Sequence, residues 1–232
     1  MKVRIGIDVG GTFTDVVVID SESRELVGQL KFPTSHDARE GVALGIVTAL
    51  ERAMQQFNLQ PDDVSFIAHS TTQATNALLE GDVANVAVLG LGNGVEALLA
   101  KRATRIPPIE LAPNKFLTAS HTFLNNPNNI DAAIGTLKTK GAQVVVASEA
   151  FSVDHTAHET QTVEKAKAAG LRATSGHEVS SLYGLRVRTR TAVINAAILP
   201  KMIATAEMTD ACVKSSGITA PLMIMRSDGG VM

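Results

Sequence analysis

Two glycines between two apolar runs, with an aspartate on either side, limit what this chain can fold into more than any other feature. The segment is IGIDVGGTFTDVVVID, residues 5–20. Val3, Ile5, Ile7 and Val9 alternate with Arg4, Gly6 and Asp8, the period of a strand with one apolar face. DVVVID, Asp15 to Asp20, reads as the next strand, and GGTFT between them as a tight turn. Gly10 and Gly11 permit close approach of the main chain to a ligand, and consecutive N–H groups in such a turn form an anion nest. Asp8 then stands at a strand end, facing an oxyanion or its metal. A plain hairpin with Asp8 capping its own loop is the competing reading. Neither GxGxxG nor GxxxxGK[ST] occurs in the sequence. Both would demand a helix directly after the glycines, and here a second strand follows. The arrangement favours a β-hairpin phosphate loop.

The 232 residues are 45% apolar, enough to bury the core of one large domain or two small ones. Lys plus Arg number 21 against 23 Asp plus Glu, a formal charge of -2 that gives no electrostatic footprint for nucleic acid. With no Trp and one Tyr, stacking platforms for single strands are not expected either. Cys212 is the only cysteine, which excludes an internal disulfide and a Cys-based zinc site; it reads as a small buried hydrophobe. No run of about 18 apolar residues occurs, so no membrane span is expected. Met1 leads into a strand without a basic-then-apolar leader, which makes the cytoplasm the expected compartment.

Along the chain, ELVGQLKF predicts a third strand joined by a short turn, giving an antiparallel meander. The following helix carries a candidate capping box at Asp37 and Glu40, and a stripe of Val42, Ile46, Leu50, Met54 and Phe57. VSFIAHS, VANVAVLGL and AQVVVASEA read as strands, the last as a buried parallel one. VRIGIDV, DVVVID and VANVAVLGL are expected to pair in one sheet backed by the Val42–Phe57 helix. Helical patterns between the later strands indicate an α/β layer. Arg186, Arg188 and Arg190 alternate and predict an extended segment with a basic edge. A helix is expected from about Thr191 to about Lys214, bent or interrupted at Pro200. The boundaries expected are 1–89, 90–185 and 186–232. The last strand feeds an SDGG turn with no element after it, so the chain is expected to be the leading part of a longer protein or one piece of a split one, with a complete domain whose last residues fray as the alternative.

These stretches, taken together, resemble a known family. IGIDVGGTFTDVVVID, AHSTTQATNALLEG, RTRTAVINAAILP and APLMIMRSDGGVM, in that order, are similar to the N-terminal region of the hydantoinase/oxoprolinase family. Its members include ATP-dependent 5-oxoprolinases, N-methylhydantoinases and one subunit type of acetone carboxylases. The resemblance implies an α/β, actin-like (ribonuclease H-like) ATPase N-terminal domain, with an antiparallel β-hairpin phosphate loop and a mixed sheet flanked by helices. It implies ATP and Mg2+ as cofactors, with Asp8 as the metal residue. Gly10, Gly11, Thr12, Thr14 and Asp15 complete the nucleotide loop. His69, Thr71 and Thr72 match the family's second motif and Asn195 an Asn near the start of its long helix, which makes these four the candidate catalytic residues. Ser70 stands where relatives usually have Gly, and the Asp228–Gly229–Gly230 turn where many have Asn-Gly-Gly.

The activity implied is ATP-dependent ring opening of a cyclic amide, such as 5-oxoproline or a hydantoin, by phosphorylation of the amide oxygen. A partner subunit of hydantoinase B type is implied with it. An ATP-using ketone carboxylase subunit, a sugar-kinase-like phosphotransferase and a non-catalytic nucleotide-sensing domain stay open as alternatives. The residues themselves also leave alternatives. His69 is either a ligand group or a satisfied buried histidine. Thr71 and Thr72 either meet substrate or cap the next helix. The arginine row is either a clamp or a solvated edge. Glu149 is a further strand-end candidate.

Overall fold

Alternation of apolar and polar residues builds the first sheet, and unbroken apolar runs build the second. The computed structural model describes residues 1–10, 12–34 and 42–225. Gly11, the Asp37/Glu40 capping box and the Asp228–Gly230 turn lie outside them. In chain order the elements are β1 (Val3–Val9), β2 (Phe13–Asp20), β3 (Leu26–Pro33), α1 (Val42–Gln56), β4 (Val64–Thr71), α2 (Gln73–Glu80), β5 (Val86–Leu91), α3 (Ala97–Thr104), β6 (Ile109–Ala112), β7 (Lys115–Leu117) and β8 (Ala119–Leu124). There follow α4 (Ile130–Thr139), β9 (Val144–Glu149), α5 (Ala157–Ala168), β10 (Arg172–Ser175), α6 (Gly176–Val179), α7 (Leu185–Ser215) and β11 (Leu222–Ile224). The chain divides into two units, residues 1–75 with 202–232, and residues 76–201.

In the first unit five strands run in the order β11-β4-β1-β2-β3. The expected meander is present, β2 pairing antiparallel with both β1 and β3, while β4 and β11 add in parallel. Val3, Ile5, Ile7, Val9, Val16 and Val18 are buried on one face, against Ile46, Ala49, Leu50 and Ala53 of α1 and Val213 of α7. Each fully buried Ile or Leu contributes roughly 1.5–3 kcal/mol, so the predicted stripe of α1 is what anchors this sheet. Gly28 allows the Phe57 ring to lie against β3; a Cβ there would come within 2.2 Å of the ring.

The second unit is a wholly parallel sheet, β10-β9-β5-β8. β5 and β9 are buried on both faces. Leu89, Ala147 and Val145 meet α4 and α5 on one side, and Val88, Val144 and Val146 meet Ala192, Val193 and Ala196 of α7 on the other. VANVAVLGL therefore does not join the first sheet. Its uninterrupted apolar run fits a strand covered twice, not one at the margin of a half-open sheet. The same fact moves the boundary from 89 to within α2, since β5 is a central strand of the second unit. At the other end α7 is one 31-residue helix containing Pro200, and it gives residues up to Lys201 to the second unit.

The arginine row is helical, not extended. Arg186 and Arg190 lie four apart on one exposed face of α7, and Arg188, two residues from each, turns inward and is fully buried. Its Nη1 donates to the carbonyls of Leu182 and Tyr183 at 2.6 and 3.2 Å, and its Nη2 to the Glu149 carbonyl and Ser152 Oγ at 2.7 and 3.1 Å.

Candidate active site

The sheet of the first unit has one buried face, and strand alternation puts Asp8 on the other. Asp8 lies beside Asp15 of β2 and beside Ser70 of β4 in the strand register. The Ser70 hydroxyl donates to Asp8 Oδ1 at 2.5 Å. Lys31 Nζ lies 3.2 Å from Asp15 Oδ1, both side chains about half exposed, and 5.2 Å from the Phe13 ring centre. The next position along the row is small on both strands, Gly6 beside Ala68. A Cβ built on Gly6 would meet nothing within 4 Å, so this face is open beside the Asp8 carboxylate.

The hairpin after Asp8 is braced from within. Gly10 N–H donates to the Phe13 carbonyl at 3.0 Å, which closes the turn and commits that donor. Thr34 spans the hairpin base: its N–H donates to the Thr12 carbonyl at 2.9 Å and its hydroxyl to the Gly10 carbonyl at 2.9 Å. Thr14 Oγ1 lies 3.0 Å from the same hydroxyl and is fully buried. Thr14 is thus a brace on the core side of β2, where it shares the parity of Val16 and Val18. Thr12 is exposed at the turn. Thr34 went unnoticed in the sequence, although counting the β2–β3 register back from the turn places it opposite the hairpin.

The second-motif residues separate in the same way. His69 sits beside Ile7 on the buried face and is 1% exposed, one position from Ser70 but on the other side of β4. Its Nδ1 has no hydrogen-bond partner. Burial lowers its pKa, against the opposing pull of a hydrogen bond to the Ser70 main chain and the Asp8 charge. Thr71 ends β4 beside Val9, and Thr72 is exposed in the turn to α2. Asn195 is half-buried in the α7 segment of the second unit.

His121 in the second unit is likewise depressed, first by burial and then by Arg105 and Lys101. Both imidazoles regain an ordinary value near about 6.5 on unfolding. Above that pH neither state is protonated and the two histidines contribute nothing. As pH falls through it the unfolded chain takes up protons first, so stability falls. The thermal midpoint is expected to decline from about pH 7 to about pH 5.5, and to decline less in His121→Gln. A wild-type midpoint that is flat or rising over this window overturns the assignment.

Among the described residues no three His, Cys, Asp or Glu side chains group as a metal cage. Mg2+ does not require one, since it keeps several waters and takes one or two carboxylates with the oxygens of a substrate phosphate. A single open carboxylate with a second acidic residue beside it fits that pattern. Among the described residues no helix is long and apolar enough to cross a membrane.

Three antiparallel strands with two further strands added in parallel, and a braced hairpin carrying an acidic row, give an α/β fold of the actin, hexokinase and sugar-kinase type. The chain belongs to the hydantoinase/oxoprolinase family: residues 4–170 match the hydantoinase/oxoprolinase N-terminal region and residues 188–232 match hydantoinase/oxoprolinase. It is 30% identical over 254 residues to the caprolactamase subunit alpha of Pseudomonas jessenii, covering 98% of this chain and 36% of that protein. The crystal structure of the ATP-dependent caprolactamase from Pseudomonas jessenii superposes with a TM-score of 0.71 at 27% identity, over 98% of this chain and 36% of that one. Nucleotide-free acetone carboxylase superposes with a TM-score of 0.72 at 15% identity, over 100% of this chain and 37% of that one, a likeness of fold. The chain spans 36% of the length of the curated relatives it matches first.

Proposed function

We propose that this chain is the nucleotide-holding part of an ATP-dependent enzyme that opens a small cyclic amide, with 5-oxoproline or a hydantoin as the substrate class. The observation that carries the reading is the Asp15–Asp8–Ser70 row beside the open Gly6–Ala68 face, at the foot of the hairpin. The likeness to a caprolactamase supports the cyclic-amide half. An amide carbonyl is poorly electrophilic, and phosphorylation of its oxygen by ATP turns that oxygen into a leaving group. The protein's share of such a transfer is positioning and charge neutralisation.

Asp8 is the residue to hold Mg2+, which when bound neutralises the phosphate oxygens. A carboxylate has about four lone-pair sites, so Oδ1 can accept from Ser70 and leave the group free to bind a metal or its waters. Ser70 orients Asp8 where relatives usually have Gly. Thr12 and Thr72 are exposed on the strand-end side. His69, neutral and on the buried face, supports the end of β4 from below and does not exchange protons with a substrate. A companion subunit of hydantoinase B type completes the proposed assembly.

The test is phosphate release from ATP by the assembly that contains this chain, with 5-oxoproline, a hydantoin, a larger lactam, or a ketone with bicarbonate. Stimulation by a cyclic amide is the expected result. Stimulation by the ketone and bicarbonate alone would replace the proposal with a carboxylase, and phosphorylation of a sugar hydroxyl would replace it with a kinase.

A further inference from the structure

A groove of about 1040 Å3 lies in the second unit. Its walls include Lys101, Arg102, Arg105 and Arg186, and no acidic residue lines it. All four cations are exposed, and none forms an ion pair among the described residues. Arg186 is held in place by donating from Nη2 to the Arg102 carbonyl at 2.9 Å. Their field reaches the groove wall, where Arg105 and Lys101 both disfavour protonation of His121.

Ile106, Pro107 and Pro108 continue the wall from Arg105, and the stretch from Thr118 to Phe123 completes the lining. Successive strand residues point to opposite faces. A groove touched by six residues in a row therefore runs along the strand's edge and not over one face of the sheet. β8 is the last strand of its sheet, with β5 on one side only. Among the described residues the main-chain groups on its other side pair with no strand. Such an edge is a template for another chain. A six-residue strand is about 20 Å long, more than a single phosphate or carboxylate can occupy.

We propose that the free edge of β8 receives an acidic extended segment of a partner polypeptide as a fifth strand, its carboxylates held by Lys101, Arg102, Arg105 and Arg186. Main-chain hydrogen bonds to β8 supply the docking, and the cations select an acidic sequence over others. The site does not depend on the nucleotide reading.

The probe is a fluorescent peptide of about eight alternating Glu and Val residues, the span of such a strand, titrated against this chain and followed by anisotropy. Saturable binding is expected. It should weaken on the order of tenfold or more with the exposed double change Lys101→Glu and Arg105→Glu. The same loss is expected when alternate peptide amides are N-methylated, and for the Gln-Val peptide. Amide hydrogen exchange in β8 should slow on binding, a readout that needs no variant. Equal binding of the N-methylated or Gln-Val peptide overturns the proposal. Binding of inorganic pyrophosphate in the groove with none of the acidic peptide overturns it in favour of a small-anion site. The absence of any binding leaves the cations as guards against edge-to-edge pairing and also overturns it.

Discussion

Asp8→Asn is expected to lower ATP turnover by at least about a hundredfold in an active assembly containing this chain, with the unfolding midpoint unchanged. The change keeps the shape of the side chain and an acceptor for Ser70, so the 2.5 Å hydrogen bond has a successor. What it removes is the charge beside the open face. Asp15 cannot replace that charge, because it is already paired with Lys31. Ser70→Gly is the companion measurement. It deletes the hydroxyl that orients Asp8 and restores the residue usual in relatives, so a loss far smaller than that of Asp8→Asn is expected. A folded Asp8→Asn protein with undiminished substrate-dependent ATP hydrolysis would remove Asp8 from the metal site and the hairpin from the nucleotide.

The second large effect is on stability and lies in the other unit. Glu159 is fully buried and accepts from three donors: the Glu149 N–H at 2.7 Å, the His177 N–H at 3.0 Å and His177 Nδ1 at 2.6 Å. Arg188 is its cationic neighbour across Gly176, where an added Cβ would meet Glu159 Oε1 at 3.2 Å and Arg188 Nε at 3.4 Å. Glu159→Leu removes the acceptor for all three donors and leaves the Arg188 charge uncompensated. The expected cost is about 3–5 kcal/mol in urea unfolding. The double variant Glu159→Leu, Arg188→Met should recover part of that loss, because no charge is then left unpaired there, while the stranded N–H and C=O groups keep their cost. A single variant costing under about 1 kcal/mol would show that the buried arginine is satisfied by its carbonyls alone.

The hairpin and the meander were legible because their signals are local. Alternation from Val3 to Val9, a glycine turn and a second alternating run specify an antiparallel pair before any partner is known. The buried parallel strand β9 and the stripe of α1 were legible for the same reason. Arg188 was not: positions two apart are neighbours on a strand and nearly opposite on a helix. Three residues of basic alternation cannot say which geometry applies until the neighbouring apolar positions are known to face a core.

The candidate site divides along a related line. Asp8, the glycine turn and the closeness of the second motif could be read from residue types and order. Two features came only from the fold: Asp8 stands beside Ser70 and Asp15, with His69 and Thr14 on the opposite face. Parity within one strand says which side chains share a face, but which face is covered depends on where α1 and α7 pack. The sheet membership of β5 was decided in the same way. Its apolar run could have completed the first sheet, and the second sheet holds it because β8 and β9 flank it there while helices cover both its faces. Local sequence determined the elements and their periods. Long-range burial, which depends on residues a hundred or more positions apart, determined which surfaces are left open for chemistry.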